Sequence, residues 1–255
     1  MKTLKEKILN GQVVIGGMIV HFLRPAMMKI YAQCGFDFAY IENEHSMQNP
    51  ETLSDCIVTG LDNNLPTIIK PGYFNRGETA RLLDTGAAGV QLPQTETRSQ
   101  IDKFGSWVKY PPVGTRMVTC SSGLNNFKSM TLEALTRQND ETIVIAHVET
   151  KLGVDNIEEI AASEFVDVVF VGSGDLSISL GKPFDFDNPE FIECFEKVAS
   201  ATKKAGKAFG AYAITAENIA SFVEMGATFI ETTDEITFIR SGTVKLFNDL
   251  KNSKG

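Results

Sequence analysis

"TIVIAHVETKLGVDNIEEIAASEFVDVVFVG", residues 142–172, holds two short apolar runs separated by a segment with helix spacing. The runs, "TIVIAHVE" (142–149) and "VDVVFVG" (166–172), place Val, Ile and Phe at successive positions. Such a run suits a strand buried on both faces, as in a parallel sheet covered by helices. The intervening "NIEEIAASE" spaces Ile157, Ile160 and Ala161 as one helical face. Strand, helix, strand is the parallel crossover unit, so the fold depends on how often it recurs.

It recurs around the whole chain. Six further runs read "VVIGGMIV" (13–20), "FAYIE" (38–42), "LPTIIK" (65–70), "AGVQLP" (88–93), "KAFGAYA" (207–213) and "TFIETT" (228–233). Helical patterns lie between them, with Asn188 and Thr215 as N-caps and Gly206 and Gly226 as terminators. Eight strands alternating with helices in about 250 residues is the arithmetic of a (β/α)8 barrel. A doubly wound sheet, the competing α/β architecture, usually has fewer strands and a glycine-rich first turn. The expectation is one barrel domain over 1–255. A long excursion, 108–140, falls between strands four and five, where an interface or a functional loop is expected.

Composition excludes several classes. The chain has 255 residues, 43 % hydrophobic and 22 % charged, an ordinary globular balance. Its formal net charge of -8 argues against a nucleic-acid or anionic-membrane surface. The four cysteines are scattered without a CxxC pair and there are three histidines, so a structural zinc site is not expected. "MKTLKEKILNGQ" lacks the apolar core of a signal peptide, and no apolar run approaches bilayer length. A cytoplasmic location is expected.

Polar residues gather at one end of the strands, where barrel enzymes carry their chemistry. Strand two ends in Glu42, Glu44 and His45, strand three in Lys70, and strand four in Gln91 and Gln94. Strand five ends in His147 and Glu149, and strand six in "GSGDLS" with Asp175. Alternation puts Ile143, Ile145, His147 and Glu149 on one face, with Glu149 at the mouth. Two hard carboxylates on adjacent strand ends, Glu149 and Asp175, suit Mg²⁺ or Mn²⁺. The same residues admit a structural reading, with Glu149 paired to an arginine and Asp175 capping a helix. His45 is the candidate proton carrier, with Glu42 or Glu44 beside its ring. Lys70 can clamp a carboxylate or, if desolvated, form a Schiff base.

These segments resemble the HpcH/HpaI aldolases, pyruvate-dependent class II enzymes of the phosphoenolpyruvate/pyruvate barrel superfamily. "GFDFAYIENEHS", "YPPVGTR", "VETKLGVDNIEEIAA" and "VDVVFVGSGDLSISLG" carry the resemblance, which covers nearly the whole chain. It implies a (β/α)8 barrel and a homo-oligomer, commonly a hexamer that exchanges its last helix. It implies a divalent metal, Mg²⁺, Mn²⁺ or Co²⁺, on Glu149 and Asp175. It also implies a base at His45 with acidic partner Glu42, a pyruvate clamp at Lys70, a polar contact at His147 and a catalytic Asp84. Gly172, Ser173, Gly174 and Asp175 would line the substrate carboxylate. The implied reaction is a lyase reaction, cleaving or forming a 4-hydroxy-2-oxo acid from pyruvate and an aldehyde. Alternatives on the same site are decarboxylation, acyl-linked lysis or a non-catalytic 2-oxo-acid-binding barrel. The family usually has Asp, Arg and Gln where this chain has Glu42, Lys70 and His147, and "G-P-x-D" where it has "GSGD". Lys70 therefore offers a point charge where a guanidinium would offer a planar fork.

Overall fold

The structure, a computed structural model, describes residues 2–121, 123 and 127–253. The eight strands are β1 (Val14–Ile19), β2 (Phe38–Glu42), β3 (Thr67–Lys70), β4 (Gly89–Leu92), β5 (Ile143–Val148), β6 (Val168–Val171), β7 (Ala208–Tyr212) and β8 (Ala227–Asp234). All pairings are parallel, and β8 pairs with β1 to close the barrel. This is the expected (β/α)8 architecture, with each apolar run of the sequence contributing one strand. Closure removes every free strand edge, and helices outside cover the second face of each strand.

The interior is filled in layers. Val14, Phe38, Ile68, Ile143, Val168 and Phe229 belong to one buried cluster inside the barrel. Phe38 stacks on Phe229 at 4.5 Å, and Phe170 meets Phe229 edge-on at 6.3 Å. The Phe38 ring lies where a Cβ on Gly16 would stand, so β1 can hold no larger residue there. Helix α1 (Leu4–Leu9), fixed by a capping box between Thr3 and Glu6, adds Leu4 and Ile8 to the same cluster. The outer layer packs around Ile41, Ile69, Val90, Val144, Val169 and Ile230, the alternate faces of the same strands.

The helix expected over "NIEEIAASE" is present as α8 (Ile157–Ala161), and a further short helix, α7 (Lys151–Asp155), precedes it, with Asn156 ending one and starting the other. The Asn156 side chain donates to the Glu96 carbonyl, which turns the chain at that point. His21, just past the first apolar run, is exposed beyond the end of β1.

The excursion after α5 (Arg98–Val108) runs to α6 (Leu132–Glu141), and positions 122 and 124–126 lie outside the described residues. Its anchor is Arg116, whose guanidinium sits 4.6 Å from the Tyr110 ring centre and pairs with Asp84 on α4 (Arg76–Thr85). Arg116 is almost fully buried, so this stacked pair holds the loop against the barrel wall. At the far end, α12 (Glu235–Asn252) buries only Glu235 and leaves Ile239, Val244, Leu246, Phe247 and Leu250 exposed.

Candidate active site

The strand ends converge on a cleft of about 200 Å³ at the barrel mouth, lined by Tyr40, Glu42, His45, Lys70, His147, Gly172, Ser173, Gly174, Asp175 and Glu231. Parallel register brings Glu42 beside Lys70 on neighbouring strands. Of the site residues expected from the sequence, all line this cleft except two: Glu149 lies behind it, its Oε2 3.3 Å from His147 Nε2, and Asp84 lies elsewhere. Asp84 lines a separate hollow of about 530 Å³ outside the barrel, beside α3 (Pro50–Asp62), and it is paired with Arg116. Within this chain the fold does not bring Asp84 to His45.

Lys70 is the cationic centre of the cleft. Its Nζ lies 2.5 Å from Glu44 Oε2, 3.6 Å from Glu42 Oε2 and 4.0 Å from Glu149 Oε2. Burial pulls the ammonium pKa down, but Glu149, Glu42 and Glu44 together outweigh it and hold the pKa above its ordinary value. A Schiff-base lysine needs the opposite shift.

Glu42 serves the backbone rather than the His45 ring. Its Oε1 accepts from the Glu44 and His45 amides at 2.6 and 3.1 Å, and its Oε2 takes the Tyr40 hydroxyl at 3.3 Å. The turn that carries His45 is thus built on the Glu42 carboxylate. The acidic group nearest the imidazole is Glu44, 3.5 Å from Nε2, and the His45 side chain is 61 % exposed at the rim.

Glu149 follows β5 immediately and is nearly inaccessible. Its Oε1 accepts from the Gln94 amide at 2.7 Å, whereas its Oε2 is buried without an aligned hydrogen-bond partner. Burial pushes the Glu149 pKa up to about 7, Lys70 and the Gln94 amide pull against it, and Asp175 and Glu44 add to it. Such a carboxylate lacks positive charge. Asp175 stands exposed in the first turn of α9 (Ser173–Ser179), whose start carries no side-chain cap. The pair fits a hard divalent cation: one buried oxygen without a partner, one accessible carboxylate, and room for waters and substrate. Among the described residues no group of three or more His, Cys, Asp or Glu side chains is arranged around one ion.

His147 also lines the cleft. Burial, then Lys70 and His45, holds its pKa well below the ordinary value, so the ring is neutral. Its Nε2 is 3.3 Å from Glu149 Oε2. The Gly172 backbone lies directly against this nitrogen and against Glu149, where any Cβ would collide. Gly172 is therefore the residue that lets β6 approach the two functional groups of β5.

Sequence reasoning missed Glu231 of β8. It is 2 % exposed inside the barrel, and burial holds its carboxyl pKa well above the usual range. The signal was present: "TFIETT" places an acid on the same strand face as Phe229, within an otherwise apolar run.

Residues 17–240 match the sequence profile of the HpcH/HpaI aldolase/citrate lyase family. The chain belongs to that family. A 5-keto-4-deoxy-D-glucarate aldolase of Klebsiella pneumoniae subsp. pneumoniae is 30 % identical over 257 residues, covering 97 % of this chain and 96 % of the relative. The enzyme of the same description from Escherichia fergusonii is 28 % identical over the same length, covering 97 % and 96 %. Among solved structures, an HpcH/HpaI aldolase from Desulfitobacterium hafniense superimposes with a TM-score of 0.92 at 28 % identity, covering 98 % of this chain and 97 % of that one. The citrate synthase SbnG superimposes with a TM-score of 0.88 at 26 % identity, covering 99 % of each. In this HpcH/HpaI chain the family barrel is kept, while the cleft carries Glu42, Lys70 and His147 at three of its polar positions. No helix among the described residues is long and apolar enough to cross a membrane.

Proposed function

We propose that this protein is a divalent-metal-dependent class II aldolase that cleaves or forms a 4-hydroxy-2-oxo acid, giving or taking pyruvate and an aldehyde. The observation that carries this reading is Glu149, a buried carboxylate with one unpartnered oxygen, 4.0 Å from Lys70 and behind the cleft that Lys70 and Asp175 line. Glu149 and Asp175 would hold Mg²⁺, Mn²⁺ or Co²⁺. When bound, the cation supplies Lewis-acid polarisation of the 2-keto oxygen.

The chain's own residues do the rest. Lys70 balances the carboxylates around it and adds electrostatic attraction for the substrate carboxylate. The backbone of Gly172, Ser173 and Gly174, at the uncapped start of α9, closes one side of the cleft. His45, exposed at the rim, takes the proton from the 4-hydroxyl in cleavage and returns it in synthesis. Glu42 orders the turn that positions His45. His147 presents a neutral ring to the substrate. The relatives' names make 5-keto-4-deoxy-D-glucarate the first substrate to test. Similarity to a citrate synthase favours, as a second reading, 2-oxo-acid chemistry with a different carbon partner on the same cleft.

The exposed apolar side chains of α12 favour a homo-oligomer in which a second copy covers them, with a hexamer proposed from the family resemblance. The deciding experiment is cleavage of 5-keto-4-deoxy-D-glucarate and related hydroxy-oxo acids, followed by pyruvate release. Activity lost in EDTA and restored by Mn²⁺ supports the proposal. Metal-independent turnover, or none across a panel of such acids, sinks it.

A further inference from the structure

Lys70 is the one lysine or arginine among the described residues that line the cleft. Three carboxylates already share its charge: Glu44 Oε2 stands 2.5 Å from Nζ, Glu42 Oε2 3.6 Å and Glu149 Oε2 4.0 Å. The two imidazoles of the cleft also face acids. His45 Nε2 is 3.5 Å from Glu44, and His147 Nε2 is 3.3 Å from Glu149. A charge on either ring would meet a carboxylate already in place. A divalent cation on Glu149 and Asp175 would balance those two acids, and Lys70 balances one of Glu42 and Glu44. The other acid and the carboxylate of a bound 2-oxo acid stay uncompensated, so the filled site has no positive charge to spare. A buried carboxylate without a cation is costly, and one set among other carboxylates is more so.

What the cleft offers instead is hydrogen bonding. Glu231 lines it, is 2 % exposed, and its Oε1 is buried without a hydrogen-bond partner. Tyr212, its register partner on β7, lines the same cleft with Met18, Tyr40 and Phe170. A hydroxyl both donates and accepts, so it satisfies Glu231 whether that acid is ionised or protonated. A carboxylate only accepts, and an ionised Glu231 has no hydrogen to give it.

We propose that the cleft selects a hydroxylated, uncharged aldehyde half and discriminates against one bearing a second carboxylate, with Glu231 as the group that meets the hydroxyl. The proposal rests on the aldolase reading and narrows it. 5-Keto-4-deoxy-D-glucarate, a dicarboxylate, should be a poorer substrate than the monocarboxylate whose far end is a hydroxymethyl group.

Calorimetry on Mn²⁺-loaded protein tests the charge rule without turnover. 2-Oxopentanoate and 2-oxoglutarate have the same carbon chain and differ by the terminal carboxylate. The first should bind about 10-fold more tightly or better, the scale set by leaving a buried charged group unpaired. Equal or tighter binding of 2-oxoglutarate, as a cation supplied by a second copy would produce, overturns the proposal. In synthesis from pyruvate, D-glyceraldehyde should exceed in kcat/KM both tartronate semialdehyde, its carboxylate counterpart, and propanal, which lacks the hydroxyls. A preference for tartronate semialdehyde overturns the charge rule as well. Glu231→Leu should cut the preference over propanal by about 5- to 10-fold, the worth of one hydrogen bond, with Mn²⁺ affinity unchanged. An unchanged preference in that variant overturns the role given to Glu231. If the two 2-oxo acids bind in the expected order but pyruvate condenses with no aldehyde, the charge rule stands and the aldolase function falls.

Discussion

At Lys70 and Glu149, burial and charge act against each other, and the outcome differs. Glu149, Glu42 and Glu44 hold the Lys70 pKa above its ordinary value, which favours the proposed role as a charge over that of an amine nucleophile. Lys70→Ala should weaken pyruvate binding and lower stability by about 3–5 kcal/mol, because buried carboxylates are left uncompensated; calorimetry and urea unfolding measure each. Lys70→Arg should restore much of the binding, and borohydride with pyruvate should leave the intact mass unchanged. A mass increase at Lys70 with an inactive Lys70→Arg would establish the imine instead. Glu149 gives the pH dependence. Its folded pKa, about 7, lies above the ordinary 4.5. Below 4.5 both folded and unfolded chains hold the proton and the stability is fully present. As pH rises through 7 the folded chain must ionise a buried group, and on the order of 3 kcal/mol is lost in metal-free protein. Glu149→Gln should flatten that slope. Equal slopes in wild type and variant, measured in chelator, would show that Glu149 is not the group responsible.

Glu235, the first residue of α12, shows how an element is aimed. It is fully buried, and its carboxylate accepts from the Val20, His21 and Phe22 amides at 3.0, 2.6 and 2.6 Å. These amides follow the end of β1, so the acid ties the last helix to the first strand at the rim of the cleft. Phe238, one turn on, packs near Tyr31 and Phe36, at 6.2 and 5.9 Å. Beyond that turn the helix leaves the barrel. Glu235→Gln turns one acceptor into a donor facing backbone N–H groups and should cost about 3 kcal/mol, read as a lower urea midpoint. A change under half a kcal/mol would mean the amides find water instead. The excursion obeys a similar rule, since Arg116, Tyr110 and Asp84 fix its start against α4. The motif "YPPVGTR" was legible as a marked segment, but its partner Asp84, 32 residues away, was not.

For the whole molecule, the exposed side of α12 is where we propose that a second copy packs. Leu246 is 60 % and Phe247 57 % exposed on that helix. Sedimentation at micromolar concentration should show a stable homo-oligomer, and removal of residues 238–255 should reduce its size; a monomeric full chain would refute this. The barrel itself was readable from the chain because burial of parallel strands on both faces requires continuous apolar runs, and eight such runs separated by helices close in one way. The cleft's location was readable too, because polar residues concentrate at one end of those runs: Glu42, Lys70, His147 and Asp175 line it, and Glu149 contacts Lys70 and His147 behind it. The sequence by itself thus determined the architecture and the chemical character of the mouth, both of which are local, periodic properties of each strand. Only the tertiary structure decided the partners. Lys70 meets Glu44, Asp84 goes to Arg116, and Glu149 takes the Gln94 amide. Those contacts join residues far apart in the chain across the closed barrel, and hydrogen bonds and ion pairs depend on distances that exist only once it has closed.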